Sequence, residues 1–393
     1  MMIKRLKVLM IKTFLIVVGY LPANPKLIIF ESFGGKQYSC NPKAIYEYML
    51  NHHPDYHMYW SVDKHYRKHF EGENLSYVTR YTLKWLIMLG FSKYWISNSR
   101  MPTKISKPKH TIYIQTWHGT PLKKLVFDMK EVYMPNVTTK QYKADFYQES
   151  RNWDYLLSPN AYSTDIFKSA FRFEKKMIEC GYPRNDILCN GNDIFYINKL
   201  KKMLNIPLGK KVILYAPTWR DNQYEKVGHY KFELPLNLTE LQKKYGKDYV
   251  IILRMHYFVI ENFDLSPYEN FVYDFSQNID INTLYLISDL LITDYSSVFF
   301  DYALLKRPII FYMYDFELYR DTLRGFYFDI EKEAPGPIVK NMQHLIEAIE
   351  TFHQNGKFVE SERKYEKFRQ KFCYLENGDS TRQVVQNVIL GVD

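Results

Sequence analysis

Cysteine is scarce in this chain. It has four among 393 residues, Cys40, Cys180, Cys189 and Cys373, with no C-x-x-C pair. A chain of this length needs no disulfide staples, so reduced cytosolic thiols are the default expectation. The glycine signatures of many nucleotide enzymes are also missing. There is no G-x-G-x-x-G and no G-x-x-x-x-G-K-[ST], which removes the dehydrogenase, kinase and ATPase readings. No D-x-D pair closes a strand, and the histidines of HHPDYH (His52, His53, His57) sit in a polar, proline-broken stretch without thiolates. No metal site and no cofactor are expected. Acidic residues are outnumbered 43 to 53 by lysine and arginine, a net charge of +10. Such a balance draws polyanions: nucleic acid, anionic head groups or phosphorylated substrates. Zinc-finger spacing, an RRM signature and a dense basic arm are all lacking, so no nucleic-acid partner is expected and the phosphate and membrane readings gain.

What is plentiful is apolar and aromatic surface. Hydrophobic residues make up 46% of the chain and aromatics 17%, led by 35 tyrosines. That supplies a sizeable core, and the length suits two α/β domains. Tyrosine joins apolar area to a hydrogen-bonding tip and suits wet clefts and interfaces.

The N-terminus, MMIKRLKVLMIKTFLIVVGYLP, places Lys4, Arg5, Lys7 and Lys12 among apolar residues. Basic residues ahead of an apolar run also head a signal peptide, but Lys12 interrupts this run and no small-residue cleavage site follows. The uncharged stretch from Thr13 to Asn24 is too short to span a bilayer. Residues 1–24 are therefore expected to form a helix lying peripherally on an anionic membrane surface. A basic first helix packed on its own domain is the alternative.

Further along, short apolar runs alternate with amphipathic stretches, the pattern of parallel α/β folds. KLIIFES, HMYWSV, KYWIS, TIYIQ and DYLLS read as strands of a first series, with NPKAIYEYML, YTLKWLIML and AYSTDIFKSAF as helices. Asn41 and Pro42 look like the N-cap and first turn of their helix, and Pro121 looks like the first turn of another. A second series runs through KVILYAPTW, DYVIILRMH, DLLITD and PIIFYM, with VFFDYALLK and HLIEAIETF as helices. The polar stretch KKMLNIPLGKK suggests a boundary near residue 200, giving domains 25–200 and 201–393, each Rossmann-like.

Ligands of open parallel sheets bind beyond the carboxyl ends of the strands. Those ends carry Trp117-His118-Gly119-Thr120, Ser158-Pro159-Asn160, Pro217-Thr218-Trp219-Arg220, Arg254-Met255-His256 and Asp294-Tyr295-Ser296-Ser297. Ser296 and Ser297 fall at a helix start, where free N–H groups favour an anion; capping needs only one of them. Asp294 would repel a phosphate if it pointed inward, and is expected instead to orient a neighbour or a ligand hydroxyl. Arg220 and Arg254 can supply charge to a diphosphate, as can Lys123 and Lys124, although a solvated face suits the lysines better. His118, at a strand-to-helix corner, can take a proton near neutral pH, with an ordinary imidazole losing that capacity below about 6.5.

The ordered set ESFGGKQYSCNPKAIYEYM, QTWHGTPLKKL, YAPTWRD, LRMH, ISDLLITDYSSVFFDYALLKRPIIFY and RGFYFD resembles the CDP-glycerol glycerophosphotransferase family of teichoic-acid synthesis. The resemblance implies a GT-B fold, two Rossmann-like domains facing each other across a cleft, with the second domain binding CDP-glycerol. It implies a membrane-associated enzyme on the cytoplasmic face that moves glycerol phosphate to a hydroxyl of an undecaprenyl-diphosphate-linked glycan, releasing CMP. On this resemblance His118 is the general base, His256 lies beside the diphosphate, and Ser296 and Ser297 hold phosphate, with Thr218, Arg220, Arg254 and Asp294 around the donor. Tyr257 stands where the family usually has proline after R-x-H. The lack of a long extra N-terminal domain leans towards a primase-like or short-chain member. A sugar-nucleotide glycosyltransferase on the same fold is the alternative.

Overall fold

The computed structural model describes residues 2–72, 75–132, 137–218, 224–226, 229–230, 234–255, 264–277, 279–318 and 325–391. It divides into two compact units. The first comprises Met1–His118, Lys140–Asp186 and Leu375–Asp393, and the second comprises Gly119–Thr139 and Ile187–Tyr374.

The first unit is built on a seven-stranded sheet in the order β3-β2-β1-β4-β5-β6-β7. Its strands are β1 (Asn24–Glu31), β2 (His57–Val62), β3 (Tyr77–Thr79), β4 (Ser92–Ser97), β5 (Ile112–Gln115), β6 (Tyr155–Ser158) and β7 (Lys176–Glu179). Every pairing is parallel. Runs such as Leu27–Phe30 and Tyr94–Ile96 are buried throughout, as expected of strands with helices on both faces. Helices Cys40–His52 and Leu83–Phe91 cross back between strands. The last segment of the chain, helix Ser380–Val384 and the π-helical turn Val385–Leu390, belongs to this unit. Its Val384, Val385, Val388 and Ile389 complete one core with Ile28, Phe30, Trp60 and Ile114.

The second unit carries a six-stranded sheet in the order β12-β11-β8-β13-β14-β15. These are β8 (Lys211–Ala216), β11 (Tyr249–Leu253), β12 (Val272–Asp274), β13 (Leu290–Thr293), β14 (Ile309–Tyr312) and β15 (Ile338–Val339), again all parallel. A separate ribbon pairs β9 (Tyr224–Lys226) with β10 (His229–Tyr230). Helix Met342–Asn355 buries Leu345, Ile349 and Phe352 on the sheet, against Tyr215, Tyr249 and Ile251. In both sheets the order reverses beside the first strand, between β1 and β4 and between β8 and β13. Those reversal points open crevices at the carboxyl ends.

Two expectations are corrected. Pro121 does not begin a helix: Lys123 bridges Phe326, Lys124 N–H donates to Gly325 O (3.2 Å) and Tyr327 N–H donates to Leu122 O (2.9 Å). A non-local strand-like pairing wins over the local proline signal. Asn41 is not an N-cap either. The helix begins at Cys40 after Ser39, and the Asn41 side chain is engaged elsewhere.

The N-terminal helix Met2–Val18 packs one face on its own unit. Leu15 and Val18 are buried. At Gly90, in helix Leu83–Phe91, an added Cβ would meet Val18 Cγ1 at 3.2 Å and Phe14 at 3.5 Å, so the absent side chain admits the helix. The other face leaves Leu9, Met10, Ile16 and Val17 exposed, and on helix Leu83–Phe91 Leu83 and Ile87 are exposed as well. No helix among the described residues is long and apolar enough to cross a membrane.

Candidate functional site

At the reversal point of the first sheet, Asn98 follows β4 and ties the strand ends together. Its side-chain carbonyl accepts from Phe33 N–H (2.8 Å), while Ser99 Oγ accepts from Gly34 N–H (3.0 Å). The glycine loop after β1 is fixed from its other side by Arg80. That guanidinium donates to Gly34 O and pairs with the buried Glu31 carboxylate at 3.2 Å. Gly35, at φ +80°, has no room for a side chain: a Cβ would lie 2.7 Å from Ser61 O.

Against this loop stands His118. Its Nδ1 lies 2.7 Å from the Asn98 backbone carbonyl. A carbonyl can only accept, so Nδ1 carries the proton and Nε2 of the neutral ring keeps its lone pair. Trp117 stacks on the imidazole at 4.5 Å, and Phe33 meets it edge-on at 5.5 Å. The indole in turn packs on Phe171 (4.6 Å) and Phe167 (6.0 Å). Three non-glycine residues here hold left-handed backbone: Phe33 (φ 47°), Cys40 (φ 66°) and Trp117 (φ 51°). Such conformations persist only where the surroundings over-determine them. Burial drives the His118 pKa down from its ordinary 6.5 to about 4; the Asn98 carbonyl opposes that and the Arg184 charge adds to it. The imidazole is thus held neutral, a base rather than an acid.

In the second unit, Asp294 joins the strand ends across the reversal point. It is buried, and its Oδ1 accepts from Thr218 N–H (2.7 Å) and from Tyr295 N–H (2.6 Å). Ser297 stands at the start of helix Val298–Tyr302, and its side chain makes no capping bond. Both Ser296 and Ser297 are half-buried. Gly119 packs on the same turn: a Cβ there would lie 2.8 Å from Ser297 Oγ. Arg254 is turned inwards. Its guanidinium donates to Phe275 O and its N–H to Tyr215 O (2.9 Å), and burial lowers its pKa. Arg220 and His256 lie outside the described residues, as does Tyr257. Thr218, Asp294, Ser296 and Ser297 therefore gather at one crevice, while Arg254 braces a strand end. Among the described residues no group of three or more His, Cys, Asp or Glu side chains could hold a metal ion.

Sequence reasoning missed Asn98, Asn41, Arg80 and Arg184. Asn98 directly follows the expected strand KYWIS, so the strand-end rule had the means to find it. Asn41 was legible only as an N-cap, and Arg80 and Arg184, in a loop and in the 3-10 turn Pro183–Asn185, carry no local signal of their roles.

A family model described as CDP-glycerol:poly(glycerophosphate) glycerophosphotransferase matches residues 13–390. The chain is 56% identical over 378 residues to the teichoic acid poly(glycerol phosphate) polymerase of Bacillus subtilis, covering 96% of this chain and 50% of that protein. It thus spans half the length of that relative. With the teichoic acid poly(glycerol phosphate) polymerase of Bacillus spizizenii it shares 54% identity over 375 residues, 95% of this chain and 94% of the relative. Among solved structures, the wall teichoic acid polymerase TagF superposes with a TM-score of 0.86 at 44% identity, over 94% of this chain and 89% of that one.

Proposed function

The chain belongs to the CDP-glycerol:poly(glycerophosphate) glycerophosphotransferase family, and from that premise we propose that it transfers glycerol phosphate from CDP-glycerol to a hydroxyl of a teichoic-acid-related acceptor, releasing CMP. It is a transferase of cell-wall biogenesis, with two parallel sheets and flanking helices in a GT-B-like fold. Such a transfer asks little covalent chemistry of the protein. The acceptor oxygen attacks the phosphorus that bears glycerol, the bond to CMP breaks, and the acceptor proton must go to a base. In this reading the first unit takes the acceptor and His118 Nε2 takes its proton. The observation that carries it is the Nδ1 bond to the Asn98 carbonyl, which leaves Nε2 as the accepting nitrogen.

The second unit takes the donor. Ser296 and Ser297 hydrogen-bond its phosphates, a role supported by the Ser297 hydroxyl standing at a helix start without capping it. Asp294 fixes the Thr218 main chain beside them. Arg254 holds the strand end that leads to His256; the charge supplied by Arg220 and His256 to the diphosphate rests on their sequence motifs. Purified protein given CDP-glycerol and a short-chain undecaprenyl-diphosphate disaccharide should yield, by mass spectrometry, acceptor carrying one or more glycerol phosphates, plus CMP. Turnover of a UDP-sugar in place of CDP-glycerol would make it a sugar-nucleotide glycosyltransferase. No product from either donor would leave a binding scaffold.

A lipid-linked acceptor calls for a membrane surface, and attachment is peripheral, to the cytoplasmic face. The exposed Leu9, Ile16, Val17, Leu83 and Ile87 form the apolar contact, with Lys12 and Lys84 near by in sequence to meet anionic head groups. Changing these five apolar residues to asparagine should release the protein from anionic vesicles in a flotation assay without lowering its Tm. Retention on vesicles by the folded variant would remove this surface from the account.

A further inference from the structure

We propose that Arg184 is a positioning residue for the reaction, clamping the Trp117–His118 corner together with Asn41; the proposal rests on His118 acting as the base. Three consecutive carbonyls of that corner accept hydrogen bonds from this pair. Asn41 Nδ2 donates to Thr116 O (3.2 Å) and Trp117 O (3.0 Å), and Arg184 Nη1 donates to His118 O (2.7 Å). The pair is itself joined, since Arg184 N–H donates to Asn41 Oδ1 (3.1 Å). Arg184 Nη1 also reaches Cys40 Sγ at 3.3 Å, so one nitrogen of the planar guanidinium fork joins left-handed Cys40 to the carbonyl that follows left-handed Trp117.

The aim of that fork is preset by the end of the chain. Glu376 accepts from Tyr182 N–H (3.1 Å) and Asn185 Nδ2 (3.1 Å), on either side of Arg184. Asp186 accepts from the N–H groups of Ser380 (2.9 Å) and Thr381 (2.8 Å). The guanidinium lies over the Tyr182 ring at 4.9 Å. A loop held at both ends thus presents a fixed cation to a strained turn. Around the imidazole, Asn98, Phe33 and Trp117 are neutral, and among the described residues Arg184 is the charged group that acts on it. Burial is the main reason the ring stays neutral, and a permanent positive charge beside it adds to that effect, so Arg184 keeps the base in place and helps to keep it unprotonated.

Arg184→Ala in the full chain should lower kcat about tenfold or more, because small misplacements of a catalytic group cost that much, while donor affinity by calorimetry stays within about twofold of wild type. Millimolar guanidinium should restore part of the loss. The acid limb of the pH–rate profile should move upwards in Arg184→Ala and stay near its wild-type position in Arg184→Lys, which keeps the charge but loses the fork. Arg184→Lys also serves if the alanine variant does not fold; its kcat should still fall. In an His118→Ala background, adding Arg184→Ala should cost little more, since both act through one imidazole. Folded variants with unchanged kcat, or with neither guanidinium rescue nor a moved acid limb, overturn the proposal. If His118→Ala itself leaves turnover intact, the base assignment fails instead.

Discussion

Replacing His118 by alanine is expected to lower turnover by roughly 10²-fold or more, the range for a lost general base, with donor affinity nearly unchanged. The imidazole works on a proton that moves only in the transition state, so its loss should fall on kcat and on kcat/KM alike. His118→Gln should not restore the rate: an amide can hold the Asn98 carbonyl but cannot take a proton at neutral pH. The pH dependence separates this imidazole from an ordinary one. A base must be neutral to act, and burial with the Arg184 charge puts the His118 pKa at about 4 rather than 6.5. The wild-type rate should therefore hold as pH falls through 6.5 and decline only on approaching about 4. A decline centred near 6.5 would show an imidazole in open solvent. Near wild-type turnover in His118→Gln would move the base elsewhere, with His256 the first residue to test.

Replacing Ser296 and Ser297 together by alanine is expected to weaken CDP-glycerol binding by roughly 10²-fold or more, since hydrogen bonds to a charged group contribute about 1.5–3 kcal/mol each. Stability should change little. An N-cap hydroxyl contributes about 1 kcal/mol, but the Ser297 side chain makes no capping bond. Calorimetry with CDP-glycerol and a thermal melt on the same sample distinguish the two effects. A lower Tm with unchanged donor affinity would return the D-Y-S-S turn to a purely structural role.

The parts of this molecule that were readable in advance are those in which a short window decides. Buried runs such as Leu27–Phe30, Tyr249–Leu253 and Leu290–Thr293 are apolar throughout and became central strands. The three-residue strands Tyr77–Thr79 and Val272–Asp274 lack such a run and were not anticipated. The position of His118 at a strand end followed from the same reading, and so did the placing of Ser296 and Ser297 at a helix start. What surrounds these residues did not. Asp294 reaches Thr218 across 76 positions, and Asn41 reaches Trp117 across 76. Arg184 finds His118 across 66, from a loop without hydrophobic period. Local rules assigned Asn41 to a cap and Pro121 to a helix because they weigh neighbours in sequence, whereas both segments answer to partners far away.

The return of the last segment to the first unit governs how the molecule can be made. Tyr94 donates its hydroxyl to Ile389 O at 2.8 Å, a bond that spans 295 positions. As the chain leaves the ribosome, the first sheet emerges early, yet the face covered by Val384, Val385, Val388 and Ile389 stays bare until all of Ile187–Tyr374 has been translated. At about 5–20 residues per second that interval is roughly 10–40 s. Throughout it the nascent chain carries an apolar sheet face in search of cover, and the Tyr182–Asp186 loop lacks its anchors on Glu376, Ser380 and Thr381. A message broken before those codons yields both segments of the second unit, Gly119–Thr139 and Ile187–Tyr374, and a first unit without its closing helix. The histidine corner is thereby completed only after Glu376, Ser380 and Thr381 have been translated.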